Sequence, residues 1–144
     1  MKALISSFFF ISTLFISQAQ NQADDILGFW LTDDGRAKIE IYKESGKYSG
    51  KIVWLKDSID KNGNPPVDYE NPDPELRKRT IQGINLVKGF YFDSEKWVDG
   101  EIYDPDTGKT YASNMKLKRN KLEVRGFVGI PMFGRTVVWT KTTF

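Results

Sequence analysis

Asp68, Glu70 and Asp73 stand close in sequence to Arg77 and Arg79, a spacing that could support acid–base chemistry or hold an anion on one loop. The same charges would also serve as a solvated salt-bridge network that pins the loop, and that is the use expected here. Asp104-Pro105-Asp106-Thr107-Gly108 offers clustered carboxylates beside a glycine, as a calcium loop does. It supplies too few oxygens and lacks EF-hand spacing. A proline-initiated turn with glycine at the positive-φ position is therefore expected, and no metal site.

The chain contains neither histidine nor cysteine. Ser-His and Cys-His nucleophile pairs, thiolate and imidazole metal sites and a histidine-ligated haem are impossible within one such chain. Carboxylate, lysine or tyrosine chemistry survives. With no complete constellation for it, the expectation is a protein that is not an enzyme and carries no cofactor.

These side chains must be held by whatever follows an apparent export signal. Lys2 forms a minimal basic region, Ala3 to Ile16 is an apolar run, and Ser17-Gln18-Ala19 supplies small residues at both cleavage-determining positions. The run is shorter than the roughly 20 apolar residues of a membrane-spanning helix. Residues 1–19 are thus expected to be a cleaved signal peptide, and residues 20–144 one domain, periplasmic or secreted, with no transmembrane anchor. The full chain of 144 residues has a net charge of +2, and loss of Lys2 lowers it by one. Neither nucleic-acid binding nor a polybasic grip on lipid follows from such a balance.

Along the remaining chain, turn signals separate alternating runs rich in Val, Ile, Tyr, Phe and Trp. Eight strands are predicted, over 27–32, 36–43, 47–55, 84–92, 96–103, 109–117, 121–128 and 135–142. Residues 57–75 interrupt the rhythm with Pro65-Pro66 and Asn71-Pro72-Asp73-Pro74, which predicts a long loop. Asp73 as N-cap and Pro74 at the first helical position predict one short helix or turn near 74–79. Eight strands joined by hairpin-sized connectors most simply close into an antiparallel up-and-down barrel, which leaves no edges exposed.

Gly28-Phe29-Trp30 on the first strand and Trp139-Thr140-Lys141 on the last are similar to the lipocalin (calycin) pattern, in which a basic side chain packs over the first-strand tryptophan. Gly50-Lys51-Ile52-Val53-Trp54-Leu55, Asn71-Pro72-Asp73-Pro74, Gly100-Glu101-Ile102-Tyr103-Asp104-Pro105, Gly108-Lys109-Thr110-Tyr111 and Gly134-Arg135-Thr136 extend the likeness. Together they resemble the bacterial domain-of-unknown-function family numbered 2147. The resemblance implies a small exported protein with a lipocalin-like barrel and no assigned activity. Lys141 stands where an arginine is common, and the cysteines that many members carry near the third strand are missing.

Gly28, Trp30, Trp139 and Lys141 are expected to close the barrel floor, with Lys141 as a cation against the Trp30 face. Function then belongs to the interior and the opposite rim. By alternation, Tyr48, Ile52, Trp54, Ile102, Tyr111, Met115 and Val124 are the inward candidates for binding a small, largely apolar ligand. Each could also be ordinary core, and the fold does not guarantee a cavity. The 129–134 turn is unusual in offering Ile130, Met132 and Phe133 between glycines; it reads either as a portal flap or as an inward plug. With Arg77 these three are the rim candidates. The alternative is a structural or envelope-interaction module without a bound ligand, using the same rim to touch an envelope protein.

Overall fold

The computed structural model describes residues 22–144. The expected leader, and with it the start of the mature domain, lies outside them. Among these residues eight antiparallel strands form a closed barrel in sequence order. They are β1 (Gly28–Leu31), β2 (Ala37–Glu44), β3 (Lys47–Leu55), β4 (Asn85–Asp93), β5 (Lys96–Asp104), β6 (Lys109–Lys118), β7 (Lys121–Phe127) and β8 (Gly134–Thr142). The expected strand boundaries hold to within a residue. Short 3-10 turns occupy Pro74–Leu76 and Pro131–Phe133. The first is capped by Asp73, whose side chain accepts from the Glu75 amide. Among the described residues no helix is long and apolar enough to cross a membrane.

The barrel has unlike ends. At one end lie the tight turns 45–46, 94–95 and 119–120, together with residues 22–27. Residues 22–24 are helical and tuck beneath the strands, burying Ala23 and Ile26. Two inward tryptophans hold this segment by its carbonyls: Trp97 Nε1 donates to Ala23 O (3.1 Å) and Trp30 Nε1 to Ile26 O (2.8 Å). The Tyr48 hydroxyl reaches Asp24 from the side (2.5 Å). Burial, and then this hydrogen bond, raise the Tyr48 hydroxyl above its ordinary pKa.

Lys141 completes the floor. Its Nζ lies 4.7 Å from the Trp30 ring centroid and donates to Leu27 O at 2.6 Å. Gly28 leaves room for it, since a Cβ there would stand 3.1 Å from Nζ. The basic residue thus serves both as a cation on an aromatic face and as a cap on a free carbonyl. Above this layer the ring of Phe90 sits directly over Gly100, where any Cβ would collide with it. Bulky aromatics fit one half of the barrel because small residues face them.

Alternation fails at one strand-three position. Trp54 is expected inside, yet it is 36% exposed and stands beneath Lys38 Nζ, 5.5 Å from the ring centroid. The cause is a bulge: Ile39 pairs with Ile52 while the neighbouring Lys38 pairs with Trp54, so Val53 is an extra residue. An added residue reverses which side chains face inward. Leu55, partner of Ala37, takes the interior place that Trp54 loses.

Candidate functional site

The other end is open, and its connectors are the longer ones: 32–36, 56–84, 105–108 and 128–133. Between them a cavity of about 900 Å3 descends into the barrel. Apolar side chains from six strands, among them Ala37, Ile52, Leu86, Ile102, Val124 and Val137, form its inner wall, and Trp139 closes it below. Tyr111 adds a polar tip, and its hydroxyl bonds to no other described residue.

Four of the seven expected interior candidates, Ile52, Ile102, Tyr111 and Val124, meet in this wall. Tyr48 and Met115 also face inward but lie buried below the cavity, packed into the floor. Trp54 is outside, for the reason of the bulge. The floor set behaves as one unit at the far end, with Trp139 shared between floor and cavity.

The rim differs from the expected one. The 129–134 turn does not plug the barrel: Ile130, Met132 and Phe133 are exposed, and only Phe133 also touches the cavity mouth. Arg125 props the turn from outside, donating from Nε to Pro131 O at 2.7 Å. Arg77 does not reach the cavity either, because its Nε donates to Asn71 O at 2.7 Å.

The 56–84 loop is tied down by a cluster that the sequence placed in solvent. Asp68 is fully buried. Its carboxylate accepts from the Tyr103 hydroxyl (2.6 Å), Asn71 Nδ2 (2.8 Å), Arg79 Nε (2.9 Å) and Arg79 Nη2 (2.8 Å). Four donors on one carboxylate compensate its burial. Burial and the bond to Asp68 raise the Tyr103 hydroxyl above its ordinary pKa. Glu70 is not part of the cluster through its side chain. Its backbone oxygen lies against Gly108, where a Cβ would collide with it, and φ at Gly108 is +71°. Glycine is therefore required twice over where the β5–β6 turn meets the loop.

The Asp104 carboxylate is occupied inside its own turn, accepting from the Asp106 amide (3.0 Å) and the Thr107 hydroxyl (2.8 Å). Asp34 does the same one connector away, accepting from Thr32 Oγ1 (2.7 Å) and the Arg36 amide (3.0 Å). Burial opposes its ionisation, but these bonds and the Arg36 charge outweigh it and hold the carboxyl below its ordinary pKa. Arg36 in turn lies 3.7 Å from Asp106 across the mouth, an exposed pair of small energetic weight.

Comparison with known proteins bears on this barrel in two ways. The profile of a bacterial family described as "Uncharacterized protein conserved in bacteria (DUF2147)" matches residues 28–141, the barrel from the first residue of β1 to all but the last residue of β8. Among solved structures, the fold is similar to HP1028 of Helicobacter pylori, described as belonging to the lipocalin family, with a TM-score of 0.73 and 21% identity over 83% of this chain and 84% of that one. No curated protein matches the sequence.

Proposed function

We propose that this chain, which belongs to the bacterial DUF2147 family, uses its lipocalin-like barrel to bind a small molecule with a largely apolar body. One observation carries the reading: an apolar cavity of about 900 Å3, open at one end and sealed at the other by Trp139 and the floor beneath it. Small-molecule pockets span roughly 300–1,000 Å3 and are lined mainly by apolar side chains with a few polar groups. An eight-stranded barrel is wide enough for one such ligand. The proposed role is binding, without catalysis.

Gly126 supplies the test. It faces the cavity, and a Cβ there would meet Ile102 Cγ2 at 3.2 Å and Tyr111 Cβ at 3.6 Å, so a longer side chain must project into the open space. Gly126→Leu is expected to weaken binding of the neutral probe N-phenylnaphthylamine at least tenfold, with the thermal midpoint measured alongside. Unchanged affinity in a folded variant would favour the alternative, an envelope-interaction module working through the exposed Ile130, Met132 and Phe133 tip.

Export belongs to the same proposal, on the leader-like sequence of residues 1–19. Protein recovered from the periplasm or medium is expected to begin at Gln20. A cytoplasmic product retaining Met1 would refute this part alone.

A further inference from the structure

The connector between β7 and β8 is apolar without interruption. Residues 126–134 contain no polar side chain, and an arginine stands at each end of the run, Arg125 before it and Arg135 after it. Val128, Ile130, Met132 and Phe133 are between 51% and 76% exposed. Contiguous apolar surface left in water by a folded domain marks a place of contact.

The tip is built rather than loose. The carbonyls of Val128, Ile130, Pro131 and Met132 accept, in turn, from the Ile130 amide (3.1 Å), the Phe133 amide (3.1 Å), Arg125 Nε (2.7 Å) and, more weakly, Arg125 Nη2 (3.4 Å). A Cβ at Gly134 would stand 2.6 Å from Gly126 O, so glycine is needed where the two strands enter the turn. Carbonyls that are already paired cost less to take out of water. Apolar side chains over satisfied carbonyls are what entry into lipid requires.

Charge and area select the occupant. Six aspartates line the cavity mouth, with Arg36, Lys56, Lys61 and Lys109 in or beside the neighbouring connectors, so the open end as a whole is of mixed sign. The tip hairpin is not. From residue 124 to 144 the charged side chains are Arg125, Arg135 and Lys141, with no acid among them, and Lys141 lies at the opposite end. Arg135 is exposed, and no described residue pairs with its guanidinium. Arginines at the base of an apolar tip match anionic headgroups above an acyl layer. The four side chains expose roughly a few hundred Å2, the scale of a functional patch but less than the about 800 Å2 per partner of a specific protein–protein interface.

From these features we infer that the 128–133 tip docks the protein on an anionic lipid surface. Ile130, Met132 and Phe133 enter the boundary between headgroups and acyl chains, and Arg125 and Arg135 lie at the phosphates. Val128 and Phe133 also line the cavity mouth, so docking sets the opening against the bilayer. This goes beyond the binding reading above and does not depend on it.

Flotation tests it, with vesicles of phosphatidylcholine alone and of phosphatidylcholine and phosphatidylglycerol in about equal parts. The protein is expected to bind the anionic vesicles several-fold tighter than the neutral ones, with the difference shrinking as salt is raised. Ile130→Ser combined with Met132→Ser should lower partitioning roughly tenfold or more, since the bound state is held by buried apolar area. Neither residue lines the cavity, so affinity for N-phenylnaphthylamine, measured without vesicles, and the thermal midpoint should stay at wild-type values. Arg135→Gln should remove much of the preference for anionic vesicles. Brominated acyl chains should quench Met132→Trp beyond the level seen with the native tryptophans. Wild-type protein that floats with neither vesicle overturns the inference and leaves the tip to a protein partner. Flotation retained by the double variant overturns the tip as the site, and an anionic preference retained by Arg135→Gln overturns the part given to that charge. Should the double variant lose its thermal midpoint, Met132→Trp decides: no added quenching on vesicles overturns insertion. The cavity reading stands or falls separately, on the probe.

Discussion

Asp68→Ala is expected to destabilise the protein by roughly 3 kcal/mol, the lower part of the range for removing one member of a buried ion pair. Arg79 is partly exposed and can recover water, which keeps the effect from being larger. Tyr103 and Asn71 have less recourse, because both point their donors at the same carboxylate. The consequence is local as well as global. Asp68 joins the 56–84 loop to β5 through Tyr103, and the loop, braced within itself by the Val67–Thr80 bridge, also meets the barrel through the Gln82 side chain on Val53 O and the Glu70–Gly108 contact. Asp68→Ala should therefore also expose that loop to proteolysis before the barrel unfolds. Asp68→Asn keeps the shape without the charge and should lie between the two. Urea unfolding gives the first quantity and cleavage rates under native conditions the second. A midpoint within experimental error of wild type, with an equally protected loop, would sink the assignment.

Trp30→Ala should have an effect of about 3–5 kcal/mol, as for other fully buried aromatic truncations. The ring is almost wholly buried, and its loss would leave Ile26 O without its donor and Lys141 without its platform. Lys141→Met separates the contributions, since it keeps an unbranched apolar stem and removes the cation, worth roughly 0.5–2 kcal/mol on an aromatic face, together with the donor to Leu27 O. pH resolves it further. Burial lowers the Lys141 pKa below 10.5, with the Asp25 charge opposing. Between its folded value and 10.5 the unfolded state binds more protons, so this group's contribution to stability rises with pH and is lowest at neutral pH. The raised tyrosines work the other way, their contribution being complete below 10.0 and lost as pH climbs through their folded values. The difference between wild type and Lys141→Met isolates the lysine. A difference independent of pH across that window would remove the desolvated ammonium from the account.

The barrel was legible because its strands alternate and its connectors are short, so local pattern and global closure agree. What escaped had a different physical origin. The Val53 bulge reverses the inward face without any Gly or Pro to mark it, and Trp54 was misplaced in consequence. Residues 22–27 seal the floor through backbone carbonyls, which carry no side-chain signature; Ala23 and Ile26, three apart ahead of Gly28, were the available hint. Asp68 looked like one solvated carboxylate among several, since its burial depends on Tyr103, 35 residues away. The aspartates that line the cavity mouth were equally hidden as a group: five lie on three connectors and Asp104 ends β5, and only closure brings them together.

That closure has a kinetic side. The seam between β1 and β8 consists of three residue pairs, Phe29–Thr142, Trp30–Lys141 and Leu31–Thr140, and the Lys141 to Leu27 bond spans 114 residues of sequence. Every other pairing in the barrel is between sequence neighbours and can form without bringing the two ends of the barrel sequence together. The seam cannot, because loop-closure entropy must be overcome before any of its contacts is rewarded. Until β8 is made, β1 presents an open edge able to pair with another chain. The rate of seam closure, rather than the depth of the folded minimum, sets how long the nascent protein is exposed to misassembly.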